Sequence, residues 1–175
     1  PDITYGDPNH WRNNIHANYY CTHSTGPLLH ITKLRPVSVV GFELPSLQRL
    51  RDVGAKSGSS GIEMITLENG AVIKSLHSLA LRREPHAIWY CLYGEKGMGE
   101  SGRLKEGVDR ISTFLNNQFI TYDPKPLIEN ELTKKLDSGH SGSDFYPMYY
   151  FIKKIMGEDE GNNSIDIYEA LDMWM

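Results

Sequence analysis

Tyr20 and His23 stand three residues apart in Tyr20-Cys21-Thr22-His23, a spacing that makes two side chains neighbours on a helix surface. An imidazole beside a phenol can move a proton to or from a hydroxyl, or bind that hydroxyl. The plainer reading, a half-buried Tyr–His pair with its hydrogen bonds satisfied, stands beside it. Trp11-Arg12 lies just upstream. An indole face and a guanidinium fork can stack on a ring and bind its hydroxyls, or they can anchor a surface loop. His140 precedes a predicted helix start at Ser141-Gly-Ser-Asp144, whose S-x-x-D pattern is a capping box and accounts for Asp144. His140 has no such account, and a His before a helix N-terminus can face a polar or anionic ligand. The candidate site is therefore His23 and Tyr20 as proton-handling residues, with Trp11, Arg12 and His140 as binding residues.

Two tempting patterns fail. His16, His23 and His30 recur every seven residues, a rise of roughly 10 Å along a helix. Ligating nitrogens must lie about 2 Å from a metal, so one ion cannot take two of them. Gly97-Met-Gly99-Glu-Ser-Gly102 spells G-x-G-x-x-G, but a dinucleotide site needs those glycines to open a helix with a βαβ unit around it. Arg103-Leu-Lys-Glu-Gly107 makes a poor helix start, and a glycine-rich hairpin is the better account. No metal-binding or cofactor-binding residue is read from this chain. Nothing resembles a nucleophile elbow, a P-loop or a zinc motif.

The elements that would carry these residues follow from periodicity. Apolar and small residues recur at helical spacing from His16 to Leu34, with a bend at Gly26-Pro27 and a stop at Arg35-Pro36. Val37–Phe42 reads as a strand, and 43–60 as a polar loop. Gly61–Leu67 and Ala71–Leu79 read as a hairpin turning at Glu68-Asn69-Gly70, since Asn-Gly accepts positive φ. Ala87–Tyr93 and Gly97–Glu100 read as strands around the Gly94–Gly97 turn. Residues 102–140 carry little pattern, with Tyr122–Pro126 extended. Helices are expected from Ser141 to about Met156 and from an N-cap at Ser164, after an acidic loop at 157–163. The fold class is thus α+β, an open and mainly antiparallel sheet with helices packed on one face.

With 175 residues, 39% of them hydrophobic and 23% charged, the chain suits one domain with a core. A net charge of −4 with scattered basic residues argues against nucleic acid or an acidic membrane as partner. No apolar run is long enough to span a bilayer, and two cysteines, Cys21 and Cys91, suit a reducing, cytoplasmic setting. Large side chains alternate on both faces of Ile88–Tyr93, so a homo-oligomer through the sheet is expected. The start at Pro1 and the stop inside a helical pattern at Met175 suggest a single domain, 1–175, truncated at both ends.

Several stretches together resemble the C-terminal domain of Gfo/Idh/MocA oxidoreductases. They are Tyr20-Cys-Thr-His-Ser-Thr-Gly-Pro27 with Arg35-Pro-Val, Val72–Leu79, Arg82-Arg-Glu-Pro85, Tyr93-Gly-Glu-Lys-Gly97, Gly139–Asp144 and Ile165–Leu171. The resemblance covers most of the chain. It implies a parent enzyme whose N-terminal Rossmann domain, absent here, binds NAD or NADP, with a carbohydrate-like small molecule held between the two domains. Typical dehydrogenases of the family carry an Asp and a His four residues apart, at positions that are His23 and Pro27 here. The Tyr-x-x-His…Gly-Pro pattern is closer to the branch of NAD-dependent α-N-acetylgalactosaminidases, in which this Tyr and His belong to the active site. The resemblance therefore implies a substrate-side domain of an NAD(P)-dependent oxidoreductase acting on a sugar, polyol or derivative. His23 would take the hydroxyl proton, with Tyr20 hydrogen-bonded to it or to the substrate. A redox-assisted glycosidase using the same residues and a non-enzymatic oligomerisation domain are the alternatives. The fragment alone is expected to be inactive.

Overall fold

The computed structural model describes residues 7–78, 80, 88–103, 110–125, 128, 131, 133–135, 143–158 and 164–174. Strands β1 (Pro36–Leu44), β2 (Ser60–Leu67) and β3 (Val72–Ser78) form an antiparallel sheet with β2 in the middle. Strands β4 (Cys91–Gly94), β5 (Gly97–Ser101), β6 (Ile111–Leu115) and β7 (Gln118–Tyr122) form a second antiparallel meander. Helix α1 (Thr22–Thr32) packs on one face of the first sheet, with α4 (Ile167–Asp172) beside it. The short α2 (Gln48–Arg51) interrupts the link from β1 to β2, and α3 (Phe145–Ile155) comes late in the chain. The α+β class and the open antiparallel sheets are as expected. Among the described residues the strands divide between two sheets.

Side chains alternate across a strand, so odd-numbered residues of β2 and β3 share the face under α1. Three rows cross the sheet on that face: Val39–Ile65–Ile73, Gly41–Glu63–Ser75 and Glu43–Gly61–His77. Ile65 and Ile73 of the first row join Leu67, Leu29 and Met173 in the apolar core, with Leu28 and Leu34 against it, while Val39 at the row's end is exposed. Each such fully buried side chain contributes about 1.5–3 kcal/mol. The other two rows are polar. The core therefore occupies one end of the α1–sheet interface, and the other end is left for chemistry.

The long helix expected from His16 starts later. Residues Ala17–Tyr20 form a 3-10 turn and α1 begins at Thr22. Tertiary contacts win over helical periodicity here. The Ala17 N–H donates to Glu43 Oε1 at 3.2 Å, and His16 Nδ1 meets Glu43 Oε2 at 2.7 Å. At the far end α1 stops at Thr32, where Lys33 turns left-handed at φ 56°. Asn116 and Asn117 both have positive φ, 51° and 60°, and turn β6 into β7, a hairpin that the weak patterning of 102–140 concealed. Asp166, two residues past the expected Ser164, caps α4 by accepting Tyr168 and Glu169 N–H groups at 2.9 Å. Helix α3 begins at Phe145, and the expected box residue Ser141 lies outside the described residues.

Helix α4 is clasped to the end of α1 by charge. Glu169 meets Lys33 Nζ at 2.5 Å and His30 Nδ1 at 3.1 Å, and Arg35 grips Asp172 with two bonds of 2.9 Å. Burial raises the Glu169 carboxyl, but the bonds from Lys33 and His30 outweigh it and hold it below its ordinary value. Arg35 holds Asp172 down in the same way.

Pro27 sits inside α1 and has no N–H to give the His23 carbonyl four residues back. That carbonyl instead accepts the Tyr90 hydroxyl at 2.5 Å, from the segment leading into β4. Tyr90→Phe should therefore destabilise the fold by up to about 1 kcal/mol, the net value of one such bond. In a Pro27→Ala background, where the helix supplies its own donor, the same change should have a smaller effect. Denaturant unfolding of the four variants measures this, and equal losses in both backgrounds contradict it.

Candidate active site

The polar end of the interface is built from two short turns. The first, Trp11–Asn14, is capped by His10, whose Nδ1 accepts the Arg12 N–H at 3.2 Å. Buried Asn13 pins it, donating from Nδ2 to the Asp7 carbonyl at 3.1 Å and accepting Lys56 N–H at 2.8 Å. Arg12 is thereby aimed at the second turn, where its Nη1 donates to the Tyr20 hydroxyl at 2.7 Å. The second turn lies flat on the sheet because Gly61 has no side chain. A Cβ there would fall 1.3 Å from Asn18 Oδ1.

Tyr20 is half-buried between two imidazoles. Its ring centroid lies 5.8 Å from that of His23, with the planes at 51°, and 5.5 Å from that of His77, nearly parallel at 17°. His23, on the first turn of α1, is exposed, and among the described residues its imidazole makes no hydrogen bond. The phenol accepts from Arg12 and keeps its own O–H for another acceptor. A guanidinium, a phenol and a free imidazole on one surface can bind a hydroxyl-rich molecule and exchange one proton with it.

The structure brings Arg12, Tyr20 and His23 together. Tyr20 takes its hydrogen bond from Arg12 and not from His23. Trp11 stays at the edge, 59% exposed, with the Arg12 guanidinium 5.0 Å from its ring centroid. His140 lies outside the described residues. His16 and His30 pair with Glu43 and Glu169 on separate elements. The glycines of Gly97–Gly102 run along and just past β5, which is paired on both sides. Sequence reasoning missed His77. Its signal was parity, since position 77 shares a face with Ile73 and Ser75 and stands opposite Gly61. Burial, and secondarily the charge of His23, lower its pKa below the usual imidazole value.

No family model and no curated protein matches this sequence. Solved structures do match. An inositol dehydrogenase homolog from Azotobacter vinelandii, complexed with NAD+, aligns with a TM-score of 0.65 at 13% identity, over 97% of this chain and 46% of that one. An inositol dehydrogenase homolog from the same organism, complexed with NADH and myo-inositol, gives 0.61 at 14% identity, over 97% and 49%. An aldose-aldose oxidoreductase from Caulobacter crescentus, complexed with glycerol, gives 0.51 at 16% identity, over 92% and 52%. At these identities the likeness is one of fold. The chain spans about half the length of these structures or less.

Cys21 lies beside Tyr20 in sequence, yet its thiol is built to stay protonated. Burial first, then the neighbouring Glu63, push it up to about 11. Burial also raises Glu63, despite its bonds to Cys21 and Ser75. Alkylation of Cys21 by iodoacetamide at pH 8 should run about 100-fold slower than that of an unperturbed thiol, in proportion to its thiolate fraction. Peptide mass spectrometry follows the rate, and rapid labelling of Cys21 in folded protein contradicts the assignment.

Proposed function

We propose that this chain is the substrate-side domain of an NAD(P)-dependent oxidoreductase acting on a sugar, a polyol or a derivative of one. The observation that carries the reading is the exposed His23 imidazole beside a Tyr20 phenol that Arg12 orients. The fold likeness to parts of inositol and aldose oxidoreductases supports it. His23 accepts the proton of the substrate hydroxyl being oxidised, Tyr20 donates a hydrogen bond to a substrate oxygen, and Arg12 holds the phenol in place. Trp11, at the rim, offers an indole face to the ring of the substrate. Among the described residues no strand, glycine turn and helix form a dinucleotide cradle. A nicotinamide held elsewhere in the parent protein would take the hydride. The Tyr-x-x-His…Gly-Pro motif equally suits redox-assisted cleavage of an α-N-acetylgalactosaminide, which uses the same two residues. The two readings differ in product: net NADH marks the first, and sugar release without it marks the second.

The outward face of the first sheet belongs to the same proposal. Val40, Phe42, Met64, Val72 and Leu76 are all exposed there, with Lys74 and Thr66 on the same face, and leave much of it apolar. A second copy of the chain is the expected cover. Sedimentation of the full-length protein should give a dimer or a higher even-numbered oligomer, and a strict monomer at high concentration opposes this.

Turnover of the full-length protein, assayed with NAD and NADP against myo-inositol, aldoses and an aryl α-N-acetylgalactosaminide, tests the catalytic assignment. His23→Ala should lower kcat by about 10²–10⁴-fold, the usual size of a general acid–base contribution. Cofactor affinity should stay the same. Tyr20→Phe should cost less, because it removes only the hydroxyl. His16→Ala and His30→Ala should affect stability through Glu43 and Glu169, with turnover per folded molecule intact. Unchanged kcat in His23→Ala sinks the assignment.

A further inference from the structure

Tyr20 ends a 3-10 turn and stands just outside α1, so regular helix geometry does not set its direction. Among the described residues, Arg12 meets its hydroxyl and the rings of Tyr19, His23 and His77 surround its ring. Arg12, Tyr19 and His23 belong to the same stretch of chain, 11–23. Among the described residues, His77 is the one that comes from the sheet. It is half-buried in the row Glu43–Gly61–His77, and the turn spans that row from end to end. Glu43 holds the start through the Ala17 N–H, Gly61 admits Asn18 in the middle, and His77 receives the Tyr20 ring at the end.

We propose that His77 is a positioning residue, a flat platform on β3 that holds the Tyr20 phenol where Arg12 and a substrate oxygen can both reach its hydroxyl. The proposal rests on the reading of Tyr20 and His23 as substrate-facing residues. The near-parallel planes, 17° apart with centroids 5.5 Å apart, make an offset stack. His77 itself does not touch substrate, because its Nε2 is buried and has no hydrogen-bond partner. Its action must pass through the ring stacked on it. An uncharged platform also matters. The Arg12 guanidinium already flanks the phenol, and a cation under the ring would repel it and oppose proton uptake by His23. Burial and the proximity of His23 both oppose protonation of His77.

The test reads Tyr20 directly, without any turnover. The full chain is labelled with tyrosine carrying ¹³C at the ε carbons, and the Tyr20 signal is assigned by its loss in Tyr20→Phe. In the wild-type protein this signal should be displaced upfield by the ring current of the stacked imidazole. His77→Leu should return it to the unstacked position, and His77→Phe, which keeps a flat ring, should retain the displacement. Signals of Tyr149 and Tyr168 should stay fixed in each variant. Where His77→Leu does not fold, His77→Gln removes the flat ring while keeping polarity and gives the same comparison. A Tyr20 signal identical in wild type and in the folded Leu or Gln variant overturns the proposal. So does a Phe variant that behaves like Leu. Either result leaves proton transfer by His23 standing, whereas an unchanged kcat in His23→Ala removes that reading while the stacking signal survives.

Discussion

The odd-numbered side chains of β2 and β3 lie under α1, and the sheet's contribution to the candidate site follows from that parity. Ile65, Leu67 and Ile73 bury against Leu29 and Met173 at one end. Two residues back along β2, the same face carries Glu63 and then Gly61; two and four residues on along β3 it carries Ser75 and His77. Polarity thus rises steadily along a single interface. The apolar end supplies the burial that holds helix to sheet. The polar end would weaken the domain if it stood alone, because Glu63 and His77 lose hydration there. A fold can carry such groups only beside a core that outweighs them, which is why site and core share one helix.

Pro27 ties the second sheet into this arrangement. By withholding a helical N–H it leaves the His23 carbonyl open, and Tyr90 closes it from the chain entering β4. The residue that carries the proposed proton transfer is therefore bonded through its own backbone to the second sheet. Charge does the corresponding work at the far end of α1, where Lys33, His30 and Arg35 hold α4. The helix bearing His23 is fixed at both ends by contacts from distant sequence.

Much of this was legible in the chain. The Asn69-Gly70 hairpin and the glycine turn before β5 could be read locally, because each depends on residues within a few positions of one another, whereas Tyr20 and His23 lie close without sharing a helix. What escaped depended on distance in sequence. Ala17 and Asn18 sit in a helical pattern, yet Glu43 and Gly61 draw them into a tighter turn. Asp166 outcompetes Ser164 as a cap because its carboxylate accepts two N–H groups at once. Asn116-Asn117 turns β6 into β7 without the glycine that usually announces a tight hairpin. His77 lay among alternating residues of a strand, and nothing near it in sequence revealed that Tyr20 would cover it.

The central claim is that Arg12, Tyr20 and His23 form one surface for a hydroxyl-bearing substrate. A crystal structure of the full-length protein soaked with a polyol or sugar that it turns over tests this most directly. The account places a ligand hydroxyl within about 2.6–3.2 Å of a His23 ring nitrogen, with a second ligand oxygen in reach of the Tyr20 hydroxyl. A ligand bound elsewhere, with His23 facing only solvent or packed against protein, would contradict it.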